Sequence, residues 1–597
     1  MNIHWIDIAI IITYLVIAIS IGFFLKKRAA KNLDSYFLGG KTLPWYVLGV
    51  SNASGMFDIT GTMWLVYLLF VYGLKSVWIP WLWPVFNQIF LMVFLSQWLR
   101  RSNVLTGAEW ITFRFGKDRG ANLSHISVVI FALVSVVGFL AYAFKGIGKF
   151  SAVFLPWDLS PDLYAIIFMG VTTIYAVMGG MYSVVLTEII QFIVMTIASI
   201  IIGIIAIQKV SPEMLEKVIP AGWNNIVFGW KLDLDWSGIM QSVNTRISTD
   251  GWELFTIFFM MMLFKGILVS AAGPAPNYDM QRILATKNPK EAAKMSGLVS
   301  VALMFPRYLM IAGLVVLALV FFSPELNGMG ENIDFEMILP YAISNFIPVG
   351  LMGILLAGLI AAFMSTFAAT VNAAPAYIVN DIYKKYINPN APDKKYIFLS
   401  YVSSLIVVVI GVGFGFMTES INTITQWIVA ALWGGYTAAN VLKWYWWRFN
   451  GYGFFYGMIS GIVFAMLFPK LFPDLSPLNS FPYILLGSGI ASVVGSLLTK
   501  PDDMEVLKNF YSKTRPWGFW KPVLNEVLKD NPNFNENKNF KRDLVNVIVG
   551  IIWQTTLVAL PIYIVIQEQM SMMYAAIILF VSSYFLKKNW YDKLEDD

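Results

Sequence analysis

Fifteen apolar runs of bilayer-crossing length recur along the chain, and no other feature restricts its fold as strongly. They fall at about residues 5–25, 47–72, 77–99, 123–150, 161–178, 183–207, 254–276, 296–322, 343–372, 397–418, 424–443, 451–468, 482–499, 543–567 and 571–586. Each is near the roughly 20 residues a helix needs to cross the hydrocarbon. Backbone polar groups have no water to bond inside a bilayer, so such runs form helices. The expected class is an all-α polytopic membrane protein with about 15 transmembrane helices. A composition of 58% hydrophobic and 13% charged residues suits no soluble domain.

The connecting segments alternate in charge. Lys26, Lys27, Arg28 and Lys31 follow the first run; Arg100, Arg101, Arg114, Lys117 and Arg119 follow the third. Basic residues also follow the seventh, ninth, eleventh, thirteenth and fifteenth runs, whereas 323–342 carries acids and no Lys or Arg. The positive-inside rule then sets the N-terminus outside and the C-terminus in the cytoplasm, in a multi-pass protein of the plasma membrane. The first run is too long for a signal-peptide core and reads as a retained span. Residues 501–540 read as a cytoplasmic loop with interfacial aromatics, too short for a catalytic domain.

Several function classes drop out. The chain has no cysteine, and its two histidines, His4 and His125, lie far apart, so no thiolate or His-based metal site is expected. The net charge of +6 reflects cytoplasmic Lys and Arg and gives no nucleic-acid footprint. Without a compact acid/base or metal constellation, an enzyme is not expected.

The second run holds Ser51-Asn52-Ala53-Ser54-Gly55-Met56-Phe57-Asp58-Ile59-Thr60-Gly61-Thr62 near its middle. A mid-membrane Asp costs roughly 2.5–3.5 kcal/mol on insertion scales. The glycines weaken the helix at the same place. One reading is a helix that opens and offers backbone carbonyls to a cation; the other is a kinked helix whose polar groups bond neighbouring helices. Glu188, Lys265, Lys145 and Arg307 also fall within runs. Asp58 and Glu188 are read as functional, Lys145 as snorkelling to the outer interface, and Lys265 as functional or paired with a buried acid. Ser365 and Thr366, among small residues, suit oxygen coordination of a small hard cation; close helix packing is the alternative.

The segment Ser35-Tyr36-Phe37-Leu38-Gly39-Gly40-Lys41-Thr42-Leu43-Pro44-Trp45 resembles the stretch before the broken helix of the sodium:solute symporter family. Tyr175 through Gln191, Gln281-Arg282 and Asn380 through Tyr386 are similar to further motifs of that family, in the same order. The resemblance runs from about residue 5 to 500 and implies the leucine-transporter-type fold with two five-helix inverted repeats. It divides the chain into an extra N-terminal helix (1–30), a first repeat (45–207), an extracellular loop (208–253), a second repeat (254–445), two additional helices (446–499), a cytoplasmic loop (500–542) and two C-terminal helices with a tail (543–597). Both repeats begin with a glycine-interrupted helix, through Gly55 and Gly61 in one and Gly266 and Gly273-Pro274 in the other.

By the same resemblance, sodium is held by the carbonyls of Ser54, Phe57 and Ala362 and the hydroxyls of Ser365 and Thr366, in the register that runs ungapped from Pro44. A two-residue slip would give Met56 and Ile59 instead of Ser54 and Phe57. Asp58 and Glu188 lie on the sodium path, Glu188 where many members carry Asp. The chain departs from the family at Ala368 and Ala369, where some members place hydroxyls for a second sodium, and at Gly61, Val269 and Ala302, where sugar carriers hold galactose. Trp64, Trp83, Asn87 and Gln426 are the expected pocket lining. The function expected is sodium-coupled import of a small polar organic solute (sugar or polyol, amino acid or carboxylate) by alternating access. The partners are sodium, the solute and the lipid bilayer, and the working unit is a monomer. A sodium-gated channel or sensor of the same fold is the alternative.

Overall fold

The computed structural model describes residues 4–595, apart from 30, 83–85, 331–332, 340–348, 419–420, 422–432 and 473–474. The described residues are helical and contain no strand. The long helices are α1 (Trp5–Ala29), α2 (Trp45–Met56), α3 (Ile59–Tyr72), α4 (Arg119–Phe154), α5 (Pro161–Lys209), α6 (Phe255–Ala271), the short α7 (Tyr278–Ala285), α8 (Pro289–Met329), α9 (Leu351–Pro375), α10 (Asp393–Phe416), α11 (Trp433–Tyr445), α12 (Gly451–Leu471), α13 (Pro477–Leu498), α14 (Phe540–Ile566) and α15 (Gln569–Asn589).

Among the described residues, 11 helices are long and apolar enough to cross a membrane, or up to 12 if a bent pair counts as one span. The 15 apolar runs map onto these helices as follows. Run 47–72 is two helices, α2 and α3. Run 77–99 is described as helical pieces at Ile79–Leu82 and Asn87–Arg101, with residues between them outside the described set. Runs 161–178 and 183–207 join in α5, whose 49 residues contain one non-helical position, Gly180 (φ 50, ψ −150). A straight helix that long would reach about 73 Å, more than twice the bilayer core. The fold at Gly180 resolves this, since a Cβ there would meet the Tyr36 carbonyl oxygen at 2.7 Å. Residues 424–432 of run 424–443 lie outside the described residues, and the rest falls in α11.

Helices sort by what they touch. α3 is buried on every side, as expected for a helix apolar all round. It packs on α4, α8 and α9. By contrast only 22% of the spanning window of α1, and 17% of that of α15, is covered by protein. Their exposed faces carry Ile12, Val16, Phe24, Phe580 and Val581, a surface suited to lipid. α1 is nevertheless anchored: Asp7 accepts bonds at 2.7 Å from the backbone N–H groups of Gly350 and Gly353, capping the start of α9.

The polar stretch 501–540 is also corrected. It forms helices Met504–Thr514 and Lys521–Asp530. Trp520 lies against protein instead of an interface, fully buried and donating to the Trp444 carbonyl at 2.8 Å, while Phe519 stays exposed. The Arg114 guanidinium lies 4.8 Å from the Trp520 ring centroid and 3.4 Å from Asp502, locking this segment to helix Gly107–Phe115.

Candidate functional site

The interrupted helices meet at the centre. α2 stops at Met56, where the Phe57 N–H bonds back to the carbonyls of Ala53 at 3.0 Å and Ser54 at 3.1 Å. Asp58 is extended (φ −86, ψ 150) and caps α3 by accepting from the Gly61 N–H at 2.6 Å. The break thus falls between the two glycines singled out in the sequence. Gly61 has no room for a side chain: a Cβ would meet Asp58 Oδ1 at 2.7 Å and Arg307 Nη2 at 2.8 Å.

Arg307, from α8, organises the upper part of the break. Its Nη2 lies 2.8 Å from Asp58 Oδ1, and its Nη1 donates to the Met56 carbonyl at 3.0 Å. Tyr142 of α4 donates to Asp58 Oδ2 at 2.8 Å. Asp58 therefore has a cation and two hydrogen-bond donors, the compensation a carboxylate at this depth requires.

A second cluster lies beneath. Ser54 Oγ and Ser365 Oγ are 2.9 Å apart. Thr366 Oγ1 donates to the Gly55 carbonyl at 2.7 Å and lies 3.3 Å from that of Ala362. Glu188 is fully buried; it pairs with Arg282 of α7, accepts from Ser51, and lies 3.5 Å from Ser365 Oγ. Arg282 also donates to Ser51 Oγ at 3.0 Å and to the Tyr278 carbonyl at 3.3 Å. Hydroxyl and carbonyl oxygens from α2 and α9 thus converge beside one paired carboxylate.

The break between α6 and α7 is built differently. Gly273 takes φ +86. The carbonyls freed there bond aromatic donors: Ala272 to Trp444 Nε1 at 3.0 Å, Ala271 to the Tyr445 hydroxyl at 3.0 Å, and Pro274 to the Tyr436 hydroxyl at 3.1 Å.

A cavity of about 250 Å³ opens above these clusters. Asp58, Arg307, Trp64 and Asn87 line it, together with Gln88, Tyr278 and Asp279. Of the residues expected to form the pocket, Trp64 and Asn87 are there, while Trp83 and Gln426 lie outside the described residues. Ser54, Phe57, Ala362, Ser365 and Thr366 all lie in the helices that meet at the first break or at its unwound residue. Three residues that the sequence left without a role shape the site: Arg282 within a family-like motif, Arg307 among the intramembrane charges, and Asp279. Asp279 follows the second break, just past the edge of an apolar run, so a search for charges inside runs passes it by. Lys145 reaches Asp162 at 3.4 Å, a structural contact. For Lys265 no acidic partner is found among the described residues: its buried Nζ has no hydrogen-bond partner there and sits 5.4 Å from the Phe481 ring centroid.

The sodium:solute symporter family model matches residues 36–461. Sodium/glucose cotransporter 4 of Danio rerio is 25% identical over 483 residues, covering 75% of this chain and 69% of that protein. The sodium/glucose cotransporter of Vibrio parahaemolyticus is 23% identical over 461 residues, covering 72% and 78%. The sodium/myo-inositol cotransporter of Canis lupus familiaris is 24% identical over 441 residues, covering 68% and 58%. Among solved structures, the substrate-bound outward-open state of a Na+-coupled sialic acid symporter shares the fold with a TM-score of 0.67 at 16% identity, covering 84% of this chain and all of that one. The chain belongs to the sodium:solute symporter family, and its activity is sodium-coupled solute symport in a membrane rather than catalysis.

Proposed function

We propose that sodium binds where α2 ends, held by the carbonyls of Ser54, Phe57 and Ala362 and the hydroxyls of Ser365 and Thr366, while the solute occupies the cavity above. The observation that carries this reading is the approach of Ser365 and Thr366 to Ser54 Oγ and the Gly55 carbonyl across the break. Hard oxygen donors suit sodium. Asp58 and Glu188 add negative charge along the path, each balanced by an arginine.

Sodium bound here ties α2 to α9 and so favours one orientation of the carrier. Its release on the low-sodium side frees the helices to reorient. Each charge moved through 100 mV supplies about 2.3 kcal/mol. The moving parts are two five-helix inverted repeats, 45–207 and 254–445, in a monomer of the plasma membrane with its N-terminus outside. Sugars and polyols head the solutes to test, because relatives are named for glucose and myo-inositol; amino acids and carboxylates follow.

The test is uptake into proteoliposomes under an inward sodium gradient. Accumulation of a panel solute that collapses when sodium is replaced by potassium, and in Ser365→Ala/Thr366→Ala, is expected. Uptake indifferent to both changes would defeat the reading.

A further inference from the structure

Asp279 is a buried acid that no cationic side chain reaches by a hydrogen bond or ion pair among the described residues. Among the described residues, Asp58, Asp279 and Arg307 are the ionisable acids and bases lining the cavity. Arg307 neutralises Asp58, and the nearby Arg282 is committed to Glu188, Ser51 and the Tyr278 carbonyl. Asp279 receives only neutral amide donors: Asn52 Nδ2 at 2.7 Å, Gln88 Nε2 at 3.2 Å and Asn87 Nδ2 at 3.2 Å. The opposite ends of these amides, Asn52 Oδ1, Asn87 Oδ1 and Gln88 Oε1, are buried acceptors with no partner among the described residues. Gln88 is only 4% exposed and Asp279 4%, yet both line the cavity. A buried acceptor left unpaired costs about 1–3 kcal/mol, so three beside one carboxylate mark a place where a donor belongs.

We propose that Asp279, with Asn87 and Gln88, binds a protonated amine on the transported solute; the proposal rests on the symport reading above. An ammonium group has three N–H donors and no acceptor, matching a carboxylate flanked by unpartnered amide oxygens. The walls suit it further: Trp64, Trp81 and Tyr278 line the same space, and aromatic faces attract cations. The solute class is therefore a small amine, such as an amino sugar or an amino alcohol.

The test is thermal stabilisation of the purified full-length protein, in sodium and in potassium, by matched probes: D-glucosamine against D-glucose, and ethanolamine against ethylene glycol. An amine that outperforms its partner in sodium is expected, with an affinity that falls about tenfold or more in Asp279→Asn. The stabilisation by sodium alone stays unchanged in that variant. Asn87→Leu, at the half-buried wall, weakens the amine about threefold and carries the test if Asp279→Asn does not fold. The proposal is overturned if no amine outperforms its partner, if these variants retain amine affinity, or if Asp279→Asn instead loses sodium affinity. Failure of the symport reading shows separately, as wild-type protein indifferent to sodium.

Discussion

Two carboxylate–guanidinium pairs flank the break between α2 and α3, and they differ in access. Glu188 and Arg282 are sealed, with side chains 0% and 1% exposed. Asp58 and Arg307 are 14% and 10% exposed, and both line the cavity. The sealed pair has no solvent to fall back on, so its partners are fixed by Ser51 and Ser365. The open pair holds unwound backbone: Arg307 bonds the Met56 carbonyl and Asp58 caps α3. One pair thus fixes the floor on which sodium is proposed to sit, while the other keeps a helix open within reach of a solute. The same chemistry serves two ends because burial differs.

The sharpest way to break this comparison is to remove half of the sealed pair. Glu188→Ala leaves the Arg282 guanidinium buried and uncompensated, with an expected loss of about 3–5 kcal/mol. Denaturant or thermal unfolding in detergent reads it out, and a loss under 1 kcal/mol would show that water reaches the pair. Sodium withdrawal comes next. A ligand at 100 times its Kd stabilises by about 2.7 kcal/mol, so transfer to potassium is expected to lower the melting temperature of the native protein and to leave Ser365→Ala/Thr366→Ala nearly unmoved. Arg307→Lys keeps the charge but replaces the fork that spans Asp58 and the Met56 carbonyl. We expect solute affinity to fall about tenfold, measured by competition, with stability nearly kept. The smallest effect is Lys145→Gln, which removes a half-exposed pair with Asp162 and should change stability by less than about 1 kcal/mol.

Much of this arrangement was legible from local signals. Both interrupted helices were expected from Gly55, Gly61, Gly266 and Gly273-Pro274; Gly266 stays inside α6, and the break falls at Gly273, which carries positive φ without strain. The hydroxyl pair Ser365-Thr366 stood out against small neighbours. What could not be read was pairing. Arg307 lies 249 residues from Asp58, and Arg282 lies 94 residues from Glu188; no periodicity joins such partners. Breaks within a run are a related case. Hydropathy registers an apolar run whether it is one rod, as in α10, or broken, as at Met56–Ile59. Nor does it say whether Trp520 faces lipid or Arg114. Asp279 was hidden by its place beyond an apolar run, and only the fold brings Asn52, Asn87 and Gln88 to it.

The most direct measurement is equilibrium sodium binding to the purified protein, native against Ser365→Ala/Thr366→Ala, with Arg307→Lys as the companion. The structure predicts sodium affinity lost by about tenfold or more in the double variant and nearly kept in Arg307→Lys. Native affinity in the double variant would contradict the assignment of sodium to the end of α2.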